Sequence, residues 1–285
     1  MFGLIFRLFW RLLILAIGAT ITWFMITKAY PYADSRLPAF VAVLLFYCIF
    51  AYGVIPLLIR LFRIVIKPDH IPLYVTAGDG WPSDPVNIGI IVTDKKHLIK
   101  KMEQAGWHVA DPPTLKNIFR EAVSIIFNTS YPAAPISKLY LFNRPHDIGF
   151  EIPTNGRGSA RTRHHVRFWR LEEPLTSVHH KHRSAYKFWF QKLEHLFLSG
   201  SKEMWIGAAT EDIHPHGVRW PTGQITHGVS HEDGKERDFI IQSLQKIGSV
   251  AEIHDSESGE ELRFRGQQLR TYYVSDGSIK IIRLK

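Results

Sequence analysis

RTRHHVRFWR, residues 161–170, carries four arginines and two histidines in ten positions and no acid. Read as a strand, it sorts its side chains onto two faces, because successive residues of an extended chain point in opposite directions. One face receives Arg161, Arg163, His165, Arg167 and Trp169, and the other Thr162, His164, Val166, Phe168 and Arg170. The stretch upstream, DIGFEI (147–152), splits likewise, with Ile148, Phe150 and Ile152 on one side and Asp147, Gly149 and Glu151 on the other. The Gly-rich turn PTNGRGSA (153–160) joins the two into a hairpin with matching apolar faces. Its other face sets Asp147 and Glu151 beside Arg163, His165 and Arg167. Strands that pair with their chain neighbours make an antiparallel sheet, and that pairing sets the fold class.

Outward from this hairpin the pattern is that of a mixed domain. PVNIGIIV (85–92) reads as a strand, followed by a helix over 94–105 with Asp94 as N-cap and Gly106 as its stop. A second helix opens DPPT, with Asp111 as N-cap and Pro112 at its first position. In it Leu115, Ile118, Phe119, Ala122, Val123 and Ile126 recur at helical spacing through residue 127. KLYLF (138–142) and MWIGAAT (204–210) suit strands, and AYKFWFQKLEHLFL (185–198) and residues 234–247 suit helices. Two hairpins are expected at the end of the chain: VAEIHD with ELRFRGQQ, and LRTYYV with SIKIIRL around Asp276–Gly277. Strands cluster more than they alternate with helices. The expected class is α+β, a largely antiparallel sheet domain with several helices over 68–285.

The N-terminus is different. Sixteen uncharged residues lie between Arg11 and Lys28, and twenty-three between Arg36 and Arg60. With Arg11 snorkelling, each run can cross a bilayer, giving a transmembrane hairpin within 1–67 with helices at about 8–27 and 37–59. A cleaved signal peptide would account for the first run alone, but not for the pair. Residues 1–67 carry a net charge of +6 of the chain's +9, leaving +3 for the remainder. Most of the basic excess therefore flanks apolar helices, which fits lipid headgroups and argues against nucleic acid as a partner. The lone Cys48 excludes an internal disulfide and thiolate zinc sites of the Cys-x-x-Cys kind.

Two constellations could carry chemistry. The cations of 161–170 outnumber the two nearby acids, so Arg163 and Arg167 are candidates for binding an anion. A cross-strand ion-pair ladder explains them equally well. Downstream, TEDIHPHG (210–217) and THGVSHEDGKERD (226–238) concentrate His, Asp and Glu, the ligand types for zinc, iron or manganese. His165, Asp212, His227 and Asp233 are the candidate ligands, with His214 and His231 nearby. Asp233 with Glu236 also makes a capping box for the following helix. There is no G-x-S-x-G, Walker A or G-x-G-x-x-G motif.

The runs AGWHVADPPT, YPAAPISKLYLFNRPHDIGFE, RHHVRFW, WIGAATEDIH and THGVSHEDGKERDF, in that order, resemble the LssY C-terminal domain family of bacteria over about residues 88–285. The resemblance implies a domain that often stands behind membrane segments, in relatives joined to lipid-phosphatase or DedA-like membrane domains. It implies no particular reaction, and this chain has no P-S-G-H motif.

Two functions follow as expectations. One is an accessory envelope protein of the bacterial inner membrane whose cytoplasmic domain binds a membrane-protein partner or an anionic ligand. The other is a metal-dependent hydrolase of a phosphorylated or lipid-linked substrate, with the divalent ion on the four candidate ligands. Arg7, Arg11, Arg60, Arg63 and Lys67 outside the two apolar runs, against Lys28, Arg36 and Asp34 between them, predict both termini in the cytoplasm. A reporter fused after Lys285 that works only in the cytoplasm should be active; activity of a reporter that works only outside it would reverse the orientation.

Overall fold

The computed structural model describes residues 2–62, 74–141, 144–171, 203–220, 222–230, 232–257, 262–265 and 272–285. The helix expected at 185–198 lies outside them. The chain divides into two units: Met1–Lys67 together with Gly78–Trp81 and Arg219–Gln224, and the remainder.

In the first unit, α1 (Phe2–Phe24), a π-helical turn (Met25–Ala29) and α2 (Tyr30–Asp34) follow one another without a break. So do α3 (Ala39–Ile49), a second π-turn (Phe50–Val54) and α4 (Ile55–Phe62). Two candidate membrane spans result, Leu12–Asp34 and Ala39–Ile59, whose apolar windows are 6% and 17% buried by protein. A core helix of a soluble domain would be covered; these are bare, as lipid-facing helices are. The first helix runs further than expected, through Pro31, and the second runs through Pro56. A proline ring clashes with the carbonyl four residues before it, here Thr27 and Tyr52. Both lie in the π-turns, whose wider winding relieves that clash. In the same unit the Tyr47 hydroxyl donates to Gly223 O (2.7 Å), Arg219 pairs with Asp79 (2.8 Å), and Trp81 meets Trp220 edge to face.

The second unit is built on an eight-stranded sheet. Its strands are β3 (Ile88–Val92), β4 (His108–Val109), β7 (Ile148–Pro153), β8 (Arg163–Leu171), β9 (Glu203–Val218), β10 (Ile225–Val229), β11 (Val250–Glu257) and β14 (Ser278–Leu284). Seven run in the order β11-β14-β3-β9-β8-β7-β4, and β10 pairs with the far end of β9. All pairs are antiparallel except β14 with β3, so the sheet is largely antiparallel and the class is α+β. A smaller sheet of β1 (Tyr74–Thr76), β2 (Pro82–Pro85), β5 (Tyr140–Leu141) and β6 (Arg144–Pro145) contributes to an apolar cluster that holds Val75, Leu139, Leu141, Trp169, Ile206 and Ile281. On the other face α5 (Lys95–Gln104) and α7 (Asp233–Lys246) supply Leu98, Met102, Ile240 and Leu244 against Ile88, Phe150, Val166, Phe168 and Trp205. The apolar alternation of β7 and β8 is thus divided between two cores.

The hairpin of β7 and β8 has the expected parity, with Ile148 opposite Phe168, Phe150 opposite Val166 and Glu151 opposite His165. Asp147 departs from expectation. It sits at the strand's end, paired with Arg144 and accepting from Arg170 N (2.8 Å). Asp94 caps α5 by accepting from His97 N (2.7 Å), and Gly106 ends it at φ +91°. The helix α6 (Leu115–Phe127) starts later than Asp111, with Thr114 as its N-cap accepting from Asn117 N. Asp111 instead accepts from the Tyr131 hydroxyl (2.6 Å).

The terminal hairpins are nested rather than consecutive. β11 pairs with β14, and β12 (Leu262–Arg265) with β13 (Tyr272–Ser275). Asp276–Gly277 therefore joins two sheets instead of closing one hairpin. Arg237 Nη1 and Ser278 N donate to Asp276, which holds that bend.

Gly207 of β9 marks the tightest point between strands. A Cβ there would lie 2.6 Å from Phe168 Cε1 and 2.7 Å from Ile88 Cγ2. Gly207→Ala is expected to cost roughly 1–3 kcal/mol by overpacking, read as a lowered urea midpoint with an unchanged m-value.

Candidate functional site

Arg163 opens β8 on the face that carries the smaller sheet, and it is fully enclosed. Its guanidinium donates from Nε to Asp212 Oδ2 (3.2 Å), from Nη1 to Glu151 Oε2 (2.7 Å), and from Nη2 to Glu121 Oε1 (3.0 Å). Nη1 also reaches Pro135 O. These carboxylates come from β9, β7 and α6. Four residues along, on the same face, Arg167 donates to Asp84 Oδ2 (2.9 Å) and Ser137 O (2.9 Å). Both candidate anion-binding arginines are therefore engaged by carboxylates of the protein itself.

Three of the four candidate metal ligands meet at one atom. Asp212 Oδ2 lies 3.5 Å from His165 Nδ1 and 3.9 Å from His227 Nδ1, as well as beside Arg163. Asp233 opens α7, and its side chain lies outside the described residues, as does His231. The N-cap of α7 is Glu232, without a side-chain cap bond, and Glu236 does not close the expected capping box. Within the cluster, Glu151 Oε1, His165 Nδ1 and Thr210 Oγ1 are buried without a hydrogen-bond partner among the described residues.

The opposite face of the same two strands carries a second polar group. His164 is directly across from Glu211, and its Nδ1 lies 2.8 Å from Glu236 Oε2 of α7. Phe239, one turn further along α7, stacks on the His164 ring at 4.0 Å between centroids. One ligand atom each from His164, Glu211 and Glu236 all fall within 4.8 Å of one another. Glu236 Oε1 is buried and has no hydrogen-bond partner among the described residues. Neither Glu211 nor Glu236 pairs with an arginine or lysine among the described residues. The sequence reading missed this group, because Glu236 looked like a capping residue and Glu211 was passed over for Asp212. The available signal was His164, the one imidazole on a strand face that also carries Val166 and Phe168.

Electrostatics separates the two faces. Burial pushes Glu151 up to about 8, against the opposing pull of Arg163. Burial also raises Glu121. Burial would raise Asp212 too, but the surrounding positive charge, with the charge and hydrogen bond of Arg163 beside it, outweighs it and holds that carboxyl low. His165 is driven well below the ordinary imidazole value, first by burial and then by Arg167 and Arg163, so it is neutral at pH 7. On the other face burial opposes the charging of His164, yet the bond and charge of Glu236 raise it.

An acid whose folded pKa is raised binds a proton in the native state that the unfolded chain has released. Its contribution to stability falls as pH rises from the unfolded value, 4.5, to about 8. The stability of the wild type relative to Glu151→Gln should therefore decline across that window in urea titrations at stepped pH. Arg163→Met leaves Asp212, Glu121 and Glu151 without the buried cation they share, a loss of roughly 3–5 kcal/mol at pH 7 by the same measurement.

Comparison with known proteins agrees with the sequence pattern. The family model described as LssY C-terminus matches residues 69–278. No curated protein and no solved structure matches the chain. Both polar groups fall within the matched residues, and the chain belongs to the LssY C-terminus family.

Proposed function

We propose that this chain is a two-pass protein of the bacterial inner membrane, with both termini cytoplasmic, whose sheet domain is a metal-dependent hydrolase of a phosphorylated or lipid-linked substrate. The observation that carries the reading is the meeting of His164, Glu211 and Glu236 ligand atoms within 4.8 Å. Three protein ligands leave coordination positions for water and substrate, the arrangement of catalytic rather than structural metal sites. One imidazole and two carboxylates suit zinc, iron or manganese. Buried Glu236 would anchor the ion from α7, while Glu211, partly exposed, would face incoming substrate. A divalent ion held by these three residues would supply an acidified water, the nucleophile that hydrolysis of a phosphate ester requires.

This placement differs from the quartet His165, Asp212, His227 and Asp233. At Asp212 the guanidinium of Arg163 already supplies positive charge at 3.2 Å, which disfavours a metal ion there. Binding of an anionic ligand through Arg163 and Arg167 is disfavoured for the converse reason, since both are occupied by internal carboxylates.

Full-length protein purified in detergent and dialysed against zinc or manganese should retain about one equivalent of metal. His164→Ala and Glu236→Gln should lose it, and His227→Ala should keep it. The same pair should lose metal-dependent release of p-nitrophenol from p-nitrophenyl phosphate. Metal lost with His227→Ala instead would return the ion to the Asp212 side; no metal on a folded chain would remove the hydrolase reading.

A further inference from the structure

The helix α6 is built inside out. Five of its large apolar residues point to solvent: Leu115 is 88% exposed, Phe119 72%, Phe127 68%, Ile126 65% and Ile118 46%. Two of its polar residues, Glu121 and Ser124, point into the domain. Glu121 takes the Arg163 Nη2 bond (3.0 Å). Ser124 donates to Thr129 O (2.6 Å) and accepts from Ala160 N (3.1 Å). The spacing that normally hides an amphipathic helix in a core here presents a continuous apolar stripe to the outside. Singly exposed apolar residues need no explanation, but a stripe of five large ones on one helix does.

We infer that α6 rests on the lipid bilayer as an interfacial helix, with this stripe sunk at the boundary between headgroups and acyl chains. Three observations favour lipid over a second protein surface. First, the chain carries two candidate membrane spans, and only fourteen residues separate Ile59 from Tyr74. That tether keeps the sheet domain within roughly 50 Å of a bilayer. Second, the flank of the stripe is basic: Lys116 and Arg120 are exposed, and Arg161 lies at its far end, donating to Ile125 O and Ile126 O. Third, the single acid of the helix, Glu121, is turned inward to Arg163, so no carboxylate of α6 faces anionic lipid. An apolar face flanked by cations is the composition of helices that lie in the membrane plane.

This inference goes beyond the proposed hydrolase and rests only on membrane anchoring. If α6 lies on lipid, the domain is held where substrates embedded in the bilayer are presented.

The test uses the full chain in nanodiscs of phosphatidylcholine and phosphatidylglycerol. In a Cys48→Ser background, nitroxides are attached at Phe119→Cys, Ile126→Cys and, on exposed Gln242 of α7, Gln242→Cys. Collisions with oxygen and with a water-soluble nickel chelate are compared by electron paramagnetic resonance. The oxygen-to-nickel ratio should be severalfold higher at 119 and 126 than at 242, and Lys116→Glu with Arg120→Glu should lower it. Ratios at 119 and 126 equal to that at 242 would place the stripe in water and overturn the inference. Shielding from both reagents would show that protein covers it, a second copy or another chain, and would overturn it equally. All labelled positions are exposed, and unchanged thermal melting of each labelled chain confirms that the fold is retained. The readout does not involve metal, so it stands or falls separately from the hydrolase.

Discussion

Arg163 is the point on which the domain turns. A guanidinium withdrawn from water is costly unless every donor direction is used, and here one planar fork serves carboxylates from three elements, α6, β7 and β9. A lysine ammonium, a point charge without that fork, could not reach all three in the same geometry. The arrangement also fixes register. A one-residue slip of β8 would carry Arg163 to the opposite face, away from Glu121, Glu151 and Asp212. The same bond explains the orientation of α6. Glu121 must face the sheet, and the apolar stripe on the far side of the helix must then face away.

Packing and charge reinforce each other along β8 and β9. Phe168 approaches β9 closely only because position 207 has no side chain, and that approach brings the flanking polar pairs into line. Arg163 is set opposite Asp212, His165 opposite Thr210, and His164 opposite Glu211. Two residues beyond His165, Arg167 repeats the ion pairing with Asp84. The cationic strip is to that extent a ladder of ion pairs, but with carboxylates drawn from β2, β7, β9 and α6 rather than from one neighbouring strand.

How far this was legible in the sequence depends on the range of the interaction. The parity of the β7–β8 hairpin follows from alternation alone, and the Asp94 cap and Gly106 stop follow from local chemistry. The two membrane helices are readable from charge-free length, although the π-turns that carry them past Pro31 and Pro56 are not. Distant partners left no local mark. Glu121 and Asp84 lie 42 and 83 residues from the arginines they meet. The spacing of Leu115, Ile118 and Phe119 reveals an amphipathic helix but not which side is buried, because periodicity has no sign. Asp276–Gly277 carries the chemistry of a hairpin turn, and β14 still chose β11 and β3, where Ile279, Ile281 and Ile282 could be buried. Glu236 matched a capping box in spacing, but its pairing with His164 was available only after α7 had packed on the sheet.

The two-residue period of a strand also accounts for the difference between the two polar groups. Neighbouring residues 163 and 164 face opposite ways, as do 211 and 212. One face thereby receives an arginine with its acids, and the other a histidine with its acids. On the arginine face the fixed positive charge neutralises much of the carboxylate charge permanently. On the histidine face the only cation available from the described protein groups is a proton on His164, shared with Glu236 at 2.8 Å. A proton is exchangeable where a guanidinium is not. Two carboxylates and an imidazole are held there by adjoining elements, with Phe239 stacked on the ring, and burial raises Glu236 toward its protonated form. That asymmetry puts the exchangeable chemistry on the α7 side of the sheet. Arg163 and its acids, on the other side, hold β8 and β9 in the register that presents it.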